Sequence, residues 1–82
     1  PLKTVTVILP QLEKGCTGTE VKVLQTLLKM YGYKDQTGKV LSIDGDFGAK
    51  TAYALMAYQV GKKLTSDGIC GEKTWSKLLK GV

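Results

Sequence analysis

The carboxylates of this chain recur in one setting. Asp44 and Asp67 each open the phrase D-G-x-x-G-x-K-T, as Asp44-Gly45-Asp46-Phe47-Gly48-Ala49-Lys50-Thr51 and as Asp67-Gly68-Ile69-Cys70-Gly71-Glu72-Lys73-Thr74. A looser echo, Gly15-Cys16-Thr17-Gly18-Thr19-Glu20-Val21, stands near the start. Two acids in one loop raise the question of calcium, but a calcium loop starting at Asp44 needs a glutamate where Leu55 stands. One starting at Ser42 needs glycine where Phe47 stands. A glycosidase needs two carboxyls facing each other across a cleft, whereas these sit in equivalent loops at successive helix starts. The chain has no histidine, so the usual base near neutral pH and the usual triads are missing. Two cysteines without histidine also make a poor zinc site. The sequence predicts no catalytic residue, no metal ligand and no cofactor.

As turn chemistry, the same phrase is fully explained. An aspartate accepts hydrogen bonds from backbone N–H groups two or three residues on, and the glycine after it adopts positive φ at low cost. Asp44, Gly45, Gly48, Asp67, Gly68 and Gly71 are therefore expected to be structural. Phe47, apolar in a polar loop, is expected to plug the core from its end. Thr51 and Thr74 stand in equivalent first helical turns, where a hydroxyl can return a hydrogen bond to the loop.

The elements that position these loops follow from hydrophobic spacing. Val21, Leu24 and Leu28 at i, i+3 and i+7 predict a first helix over about residues 18–31, with Thr19 as N-cap and Gly32 as the stop. A second helix is expected from Gly48 to Val60, with Thr51, Ala54, Leu55 and Tyr58 inward and Gly61 ending it. A third is expected over Glu72–Leu79, with Thr74, Trp75, Leu78 and Leu79 on its apolar side. Residues 33–43 read as an irregular connecting loop. Residues 4–9 (TVTVIL) are β-branched and end at Pro10, which suggests a short extended lead-in. The fold class predicted is all-α, a small three-helix bundle built from repeated D-G-x-x-G loop–helix units.

Size and charge set further bounds. Eighty-two residues allow one domain with a modest core and little to spare for a deep cleft. All twelve basic residues are lysine, against seven acids, for a formal charge of +5. That balance favours anionic partners such as nucleic acid, membrane surface or wall polymers. Scattered lysines also serve simply as a solvated face, and the absence of arginine weakens a phosphate-reading role. No stretch approaches the roughly 20 apolar residues of a membrane span, so no membrane insertion is expected. Because the chain starts at Pro1 rather than methionine, it is expected to be a fragment of a longer protein. Cys16 and Cys70 each lie in a G-x-x-G loop. A bridge between them would close about 55 residues and contribute ~4 kcal/mol; the alternative is two thiols filling loop positions.

The ordered set of motifs resembles the peptidoglycan-binding domain family. It runs through Leu12, Gly15, Gly18, Val21, Leu24, Gln25, Leu28, Gly32 and Tyr33, then Asp44, Gly45, Phe47, Gly48, Thr51, Ala54, Tyr58 and Gln59. It closes on Asp67, Gly68, Ile69, Gly71, Thr74, Trp75 and Leu78. About 67 of the 82 residues are covered in register. Cys70, where a larger apolar residue is usual, and the insertion-like loop over residues 34–42 depart from the pattern. The resemblance implies a lead-in or linker over residues 1–11 and a cell-wall-binding domain over residues 12–82. It also implies non-catalytic attachment to peptidoglycan, by glycan strand or stem peptide, on behalf of a hydrolase in the same polypeptide (an amidase, muramidase or endolysin). Location would be the cell wall or outside the cell, by secretion or phage lysis, and a monomer is expected.

Ligand residues are sought among positions the fold leaves free. On the second helix Ala52, Tyr53, Met56, Ala57 and Val60 are mostly apolar although the pattern does not require it. Val23, Leu27 and Met30 form a similar stripe on the first, and such faces are expected to be covered by the TVTVIL segment, by a neighbouring domain, or by the stem peptide or sugar of peptidoglycan. Tyr53 is the first candidate for stacking on a sugar, then Tyr33 and Trp75, with Met56 beside them. Trp75 stands at an expected core position, so packing is its competing role. Gln25 and Gln59 would either bind a neighbouring loop or recognise a muropeptide amide or carboxylate. Two rival functions remain: a spacer that docks on its own enzyme, and a small basic DNA-binding helical domain. The second is disfavoured because Ala52, Tyr53, Met56 and Ala57 make a poor recognition helix.

Overall fold

The computed structural model describes residues 10–80. The expected extended lead-in over residues 4–9 lies outside them. The described residues form α1 (Thr19–Met30), α2 (Ala49–Gly61) and α3 (Glu72–Lys80), as an all-α bundle whose loops contribute much of the core. Val21, Leu24 and Leu28 of α1, Ala54, Leu55 and Tyr58 of α2, and Trp75 and Leu78 of α3 are buried. Leu12, Leu41, Phe47 and Cys70 join them from the loops. The plug expected of Phe47 is present, and Cys70 fills the equivalent slot of the second loop.

The stretch from Leu12 to Gly18 fastens the two D-G loops side by side. Leu12 exchanges backbone hydrogen bonds with Cys70, at 3.1 and 2.7 Å. Three residues on, the Gly15 N–H donates to the Phe47 carbonyl, and the Phe47 N–H donates to the Cys16 carbonyl, both at 2.9 Å. Gly18 N–H then donates to the Gly45 carbonyl at 2.9 Å. Pro10 is held as well, by the Trp75 indole N–H at 2.9 Å. This pairing explains why no bridge forms between the cysteines: Cys70 faces Leu12, Cys16 is in register with Phe47, and both are free thiols.

Helix ends differ from expectation in two places. Thr19 is not the N-cap of α1 but its first residue; Gly18 caps it, without a side-chain hydrogen bond. The reason is close backbone approach. Gly18 sits at φ +122 with its N–H bound to Gly45, and a Cβ on Gly45 would lie 3.2 Å from the Gly18 carbonyl. At the other end α1 closes in a Schellman turn: Gly32 N–H donates to the Lys29 carbonyl and Tyr33 N–H to that of Leu28. α2 closes the same way, but Gly61 is its last helical residue. Lys63 takes the left-handed position at φ 60, with Lys63 N–H on Val60 and Leu64 N–H on Gln59. A non-glycine residue there costs about 1 kcal/mol.

The connecting loop is more ordered than its polarity suggests. Lys34 and Val40 pair across a tight turn organised by Asp35, which is buried. One carboxylate oxygen of Asp35 accepts from the Thr37 N–H and hydroxyl and from the Lys39 N–H. The Thr37 hydroxyl, foremost among these, holds the Asp35 pKa below its ordinary value.

Candidate functional site

Each D-G loop is clamped by one glutamine from the preceding helix. Gln25 of α1 donates its amide nitrogen to Asp44 Oδ1 (2.9 Å), the Asp46 carbonyl (3.1 Å) and Thr51 Oγ1 (3.0 Å). Its amide oxygen accepts from the Gly45 N–H at 2.9 Å. Gln59 of α2 repeats this on Asp67 Oδ1 (3.0 Å), the Ile69 carbonyl (3.0 Å) and Thr74 Oγ1 (3.2 Å), and accepts from the Gly68 N–H at 3.1 Å. Within each loop the aspartate also accepts from the N–H two residues on, Asp46 or Ile69. The Asp46 N–H, and then the Gln25 amide, lower the Asp44 pKa. Both glutamines are 1% exposed. Their amide atoms are spent inside the scaffold, which is the loop-binding role their positions allowed.

The remaining candidates do not form one cluster. Trp75 is 3% exposed and spends its indole N–H on Pro10. Tyr33 is half-buried, edge-on to Tyr58 with centroids 5.4 Å apart. Its hydroxyl lies 3.1 Å from where a Cβ on Gly61 would be, at the C-terminal end of α2. Tyr53 stands eight residues earlier on that helix, about 12 Å along its axis.

Tyr53 and Met56 do share a surface. They are 46% and 37% exposed, and Val60 one turn on is 66% exposed. Successive 100° steps place these three on the side of α2 opposite Ala54, Leu55 and Tyr58. Ala49, Ala52 and Ala57 fill the gaps, so α2 is apolar on both sides. Met56 reaches the second D-G loop: a Cβ on Gly68 would lie 3.5 Å from its Cγ, and Ser66 Oγ donates to the Met56 carbonyl at 3.2 Å. The apolar patch is thus bordered by the Ser66–Gly68 turn. That border is absent from the candidates read from spacing, because it depends on how the loop folds back over α2. On α1 the equivalent stripe is looser, with Val23 and Met30 exposed and Leu27 half-buried against the core.

Shallow grooves line the outer sides of the two clamped loops. One, of about 330 Å³, runs past Leu41, Ser42, Asp44 and Gly48 to Thr51. The other, of about 360 Å³, runs past Leu64, Thr65, Asp67 and Gly71 to Thr74. From Leu41 to Thr51 and from Leu64 to Thr74 their linings correspond position for position, so the repeat extends back to Leu41 and Leu64, three positions before each aspartate.

Residues 17–78 match the model of the peptidoglycan binding domain family. The chain is 44% identical over 63 residues to a probable N-acetylmuramoyl-L-alanine amidase of Bacillus licheniformis, covering 76% of this chain and 18% of that one. Among solved structures it is similar to the SleB N-terminal domain, at a TM-score of 0.79 and 32% identity, covering 93% of this chain and 97% of that domain. It is also similar to the Burkholderia AP3 phage endolysin, at a TM-score of 0.78 and 38% identity, covering 89% of this chain and 26% of that one. The chain spans 14–26% of the length of the named enzymes it matches in sequence. The family-model match over residues 17–78, together with the structural match to the SleB N-terminal domain, leads to one conclusion: this chain belongs to the peptidoglycan binding domain family.

Proposed function

We propose that this chain is a non-catalytic module that binds peptidoglycan through the outward face of α2, bordered by the Ser66–Gly68 turn. It holds an attached cell-wall hydrolase, carried on the same polypeptide, to its polymer at the wall or outside the cell. The module body starts near Leu12 and acts as a monomer. One observation carries the choice of surface: α2 turns Tyr53, Met56 and Val60 outward while its other side already fills the core. A helix apolar on both faces leaves a patch that nothing among the described residues covers. Tyr53 presents a ring for the apolar face of a sugar, and Met56 a polarisable side chain beside it. Gln25, Gln59 and Trp75 act on this surface only by holding the loops and helices that frame it.

The same patch would serve a domain that docks on its own enzyme, and the two readings part on one experiment. The 82-residue chain is mixed with purified peptidoglycan stripped of anionic polymers, at low salt, and centrifuged. Cosedimentation is the expected result. A chain that stays in the supernatant while binding an isolated hydrolase domain would replace wall binding with docking.

A further inference from the structure

The outer side of α3 carries a second, chemically different surface. Leu64, Glu72, Lys73, Ser76, Lys77 and Lys80 line a groove of about 430 Å³, larger than either groove beside the clamped loops. Its lining combines the apolar Leu64 with three lysines. Lys73, Lys77 and Lys80 fall at i, i+4 and i+7, so they share one side of the helix. Their spacing along the axis is about 6 and 4.5 Å. Like charges at these separations repel, so the row is not explained by helix stability.

Helix electrostatics account for part of the row only. Lys77 and Lys80 stand in the last turn, where the macrodipole favours cations, but Lys73 stands in the first, where it does not. The position equivalent to Lys73 in the other repeat is Lys50, which has the carboxylates of Asp35 and Asp44 within electrostatic reach. Lys73 instead lines both the α3 groove and the groove beside Asp67, joining them. Among the described residues Glu72 is the only acid lining the α3 groove, and Lys77 is half-buried.

We propose that this groove binds a linear phosphodiester polymer without bases, such as a polyol-phosphate chain, at a site separate from the outward face of α2. Three ammonium groups in a row fit a flexible chain with one negative charge per repeat. Lysine serves this as a point charge, where arginine would favour bidentate recognition of a fixed group. Among the described residues no aromatic side chain lines the groove, so they offer nothing for bases to stack on, as single-stranded nucleic acid would require. The inference goes beyond peptidoglycan binding, and its test uses no peptidoglycan.

A synthetic poly(glycerol phosphate) chain is titrated against the 82-residue chain, with a thymidine oligonucleotide in parallel and the fold checked by circular dichroism. At roughly fivefold per lysine, the triple variant K73Q/K77Q/K80Q should lose on the order of 100-fold in affinity at low salt. The exposed single variants K73Q and K80Q should each lose about fivefold if the triple folds poorly. For the native chain, three contacts predict a decrease of about 20-fold between 50 and 200 mM salt. The control K14Q/K29Q/K34Q removes the same charge elsewhere and should change binding by less than about threefold. Equal losses in both triples would reduce the effect to net charge and overturn the site. Absence of poly(glycerol phosphate) binding, or tighter binding of the oligonucleotide, would overturn the ligand class.

Discussion

Replacing Gln25 by leucine removes the clamp on the first D-G loop while keeping a side chain of similar bulk. Four hydrogen bonds go with it. Asp44 Oδ1 keeps the Asp46 N–H, and the Thr51 hydroxyl keeps a long 3.5 Å bond to the Asp46 carbonyl. The Gly45 N–H, in a buried residue, loses its side-chain acceptor. The two amide hydrogens are shared among three acceptors, so at ~2 kcal/mol for the bond to the carboxylate, about 1 for one neutral bond and 1–3 for the orphaned Gly45 donor, the raw sum is about 4–6 kcal/mol. Leucine recovers part of it by burying apolar surface, which leaves ~3 kcal/mol. Total stability for a domain of this length is about 4–12 kcal/mol. The variant should therefore melt roughly 12–24 °C below the parent, read by circular dichroism and urea denaturation. Gln25→Glu sharpens the test. The introduced carboxyl is buried beside Asp44, so its folded pKa is raised. Its stability is present below the ordinary carboxylate pKa and is lost as pH rises through the folded value. That variant should be nearer the parent at pH 4 than at pH 7. A cost under about 1 kcal/mol for Gln25→Leu would refute the clamp.

Two further outcomes follow from the loops. Gly45→Ala should cost about 2–4 kcal/mol by denaturation, because φ is +76 and the new Cβ meets the Gly18 carbonyl and the Lys22 stem near 3.2 Å; Gly38→Ala, at φ +81 in open space, should cost only ~1–2 kcal/mol. In thiol labelling of the native chain, Cys16 should react first, since Cys70 is fully buried and burial, with Asp67 adding to it, pushes its thiol up to about 12. Both should react in denaturant.

The three helices, most of the core and the role of the repeated loop were legible because each rests on local spacing. Val21, Leu24 and Leu28, or Ala54, Leu55 and Tyr58, declare an inner face by period alone. The glutamine clamps were half legible: position implied a buried amide, but the choice of partner depended on two loops coming to rest against two helices. Asp35 was missed because nothing in a polar, glycine-bearing stretch distinguishes an acid that folds its own turn from a solvated one. Lys63 in a left-handed cap was missed because Gly61 supplied the more obvious stop. Tyr31, read only as a helix end, stacks on Tyr58 with centroids 6.0 Å apart and gives its hydroxyl to the Leu78 carbonyl. That contact spans 47 positions and leaves no local trace. Among the ligand candidates, exposure separated Tyr53 and Met56 from the clamping glutamines and Trp75, and exposure is a property of the folded chain.

The central claim is that the outward face of α2, rather than the clamped loops, meets the polymer. Titrating isotope-labelled chain with soluble peptidoglycan fragments, and following backbone amide shifts by nuclear magnetic resonance, tests it most directly. Shifts should concentrate at Tyr53, Met56, Ala57, Val60 and the Ser66–Gly68 turn, and Tyr53→Ala should weaken binding about five- to tenfold with stability unchanged, the loss of ~1 kcal/mol expected for one exposed aromatic contact. Shifts confined to the groove over Ser42, Asp44 and Lys50, with Tyr53→Ala binding as tightly as the parent, would contradict it.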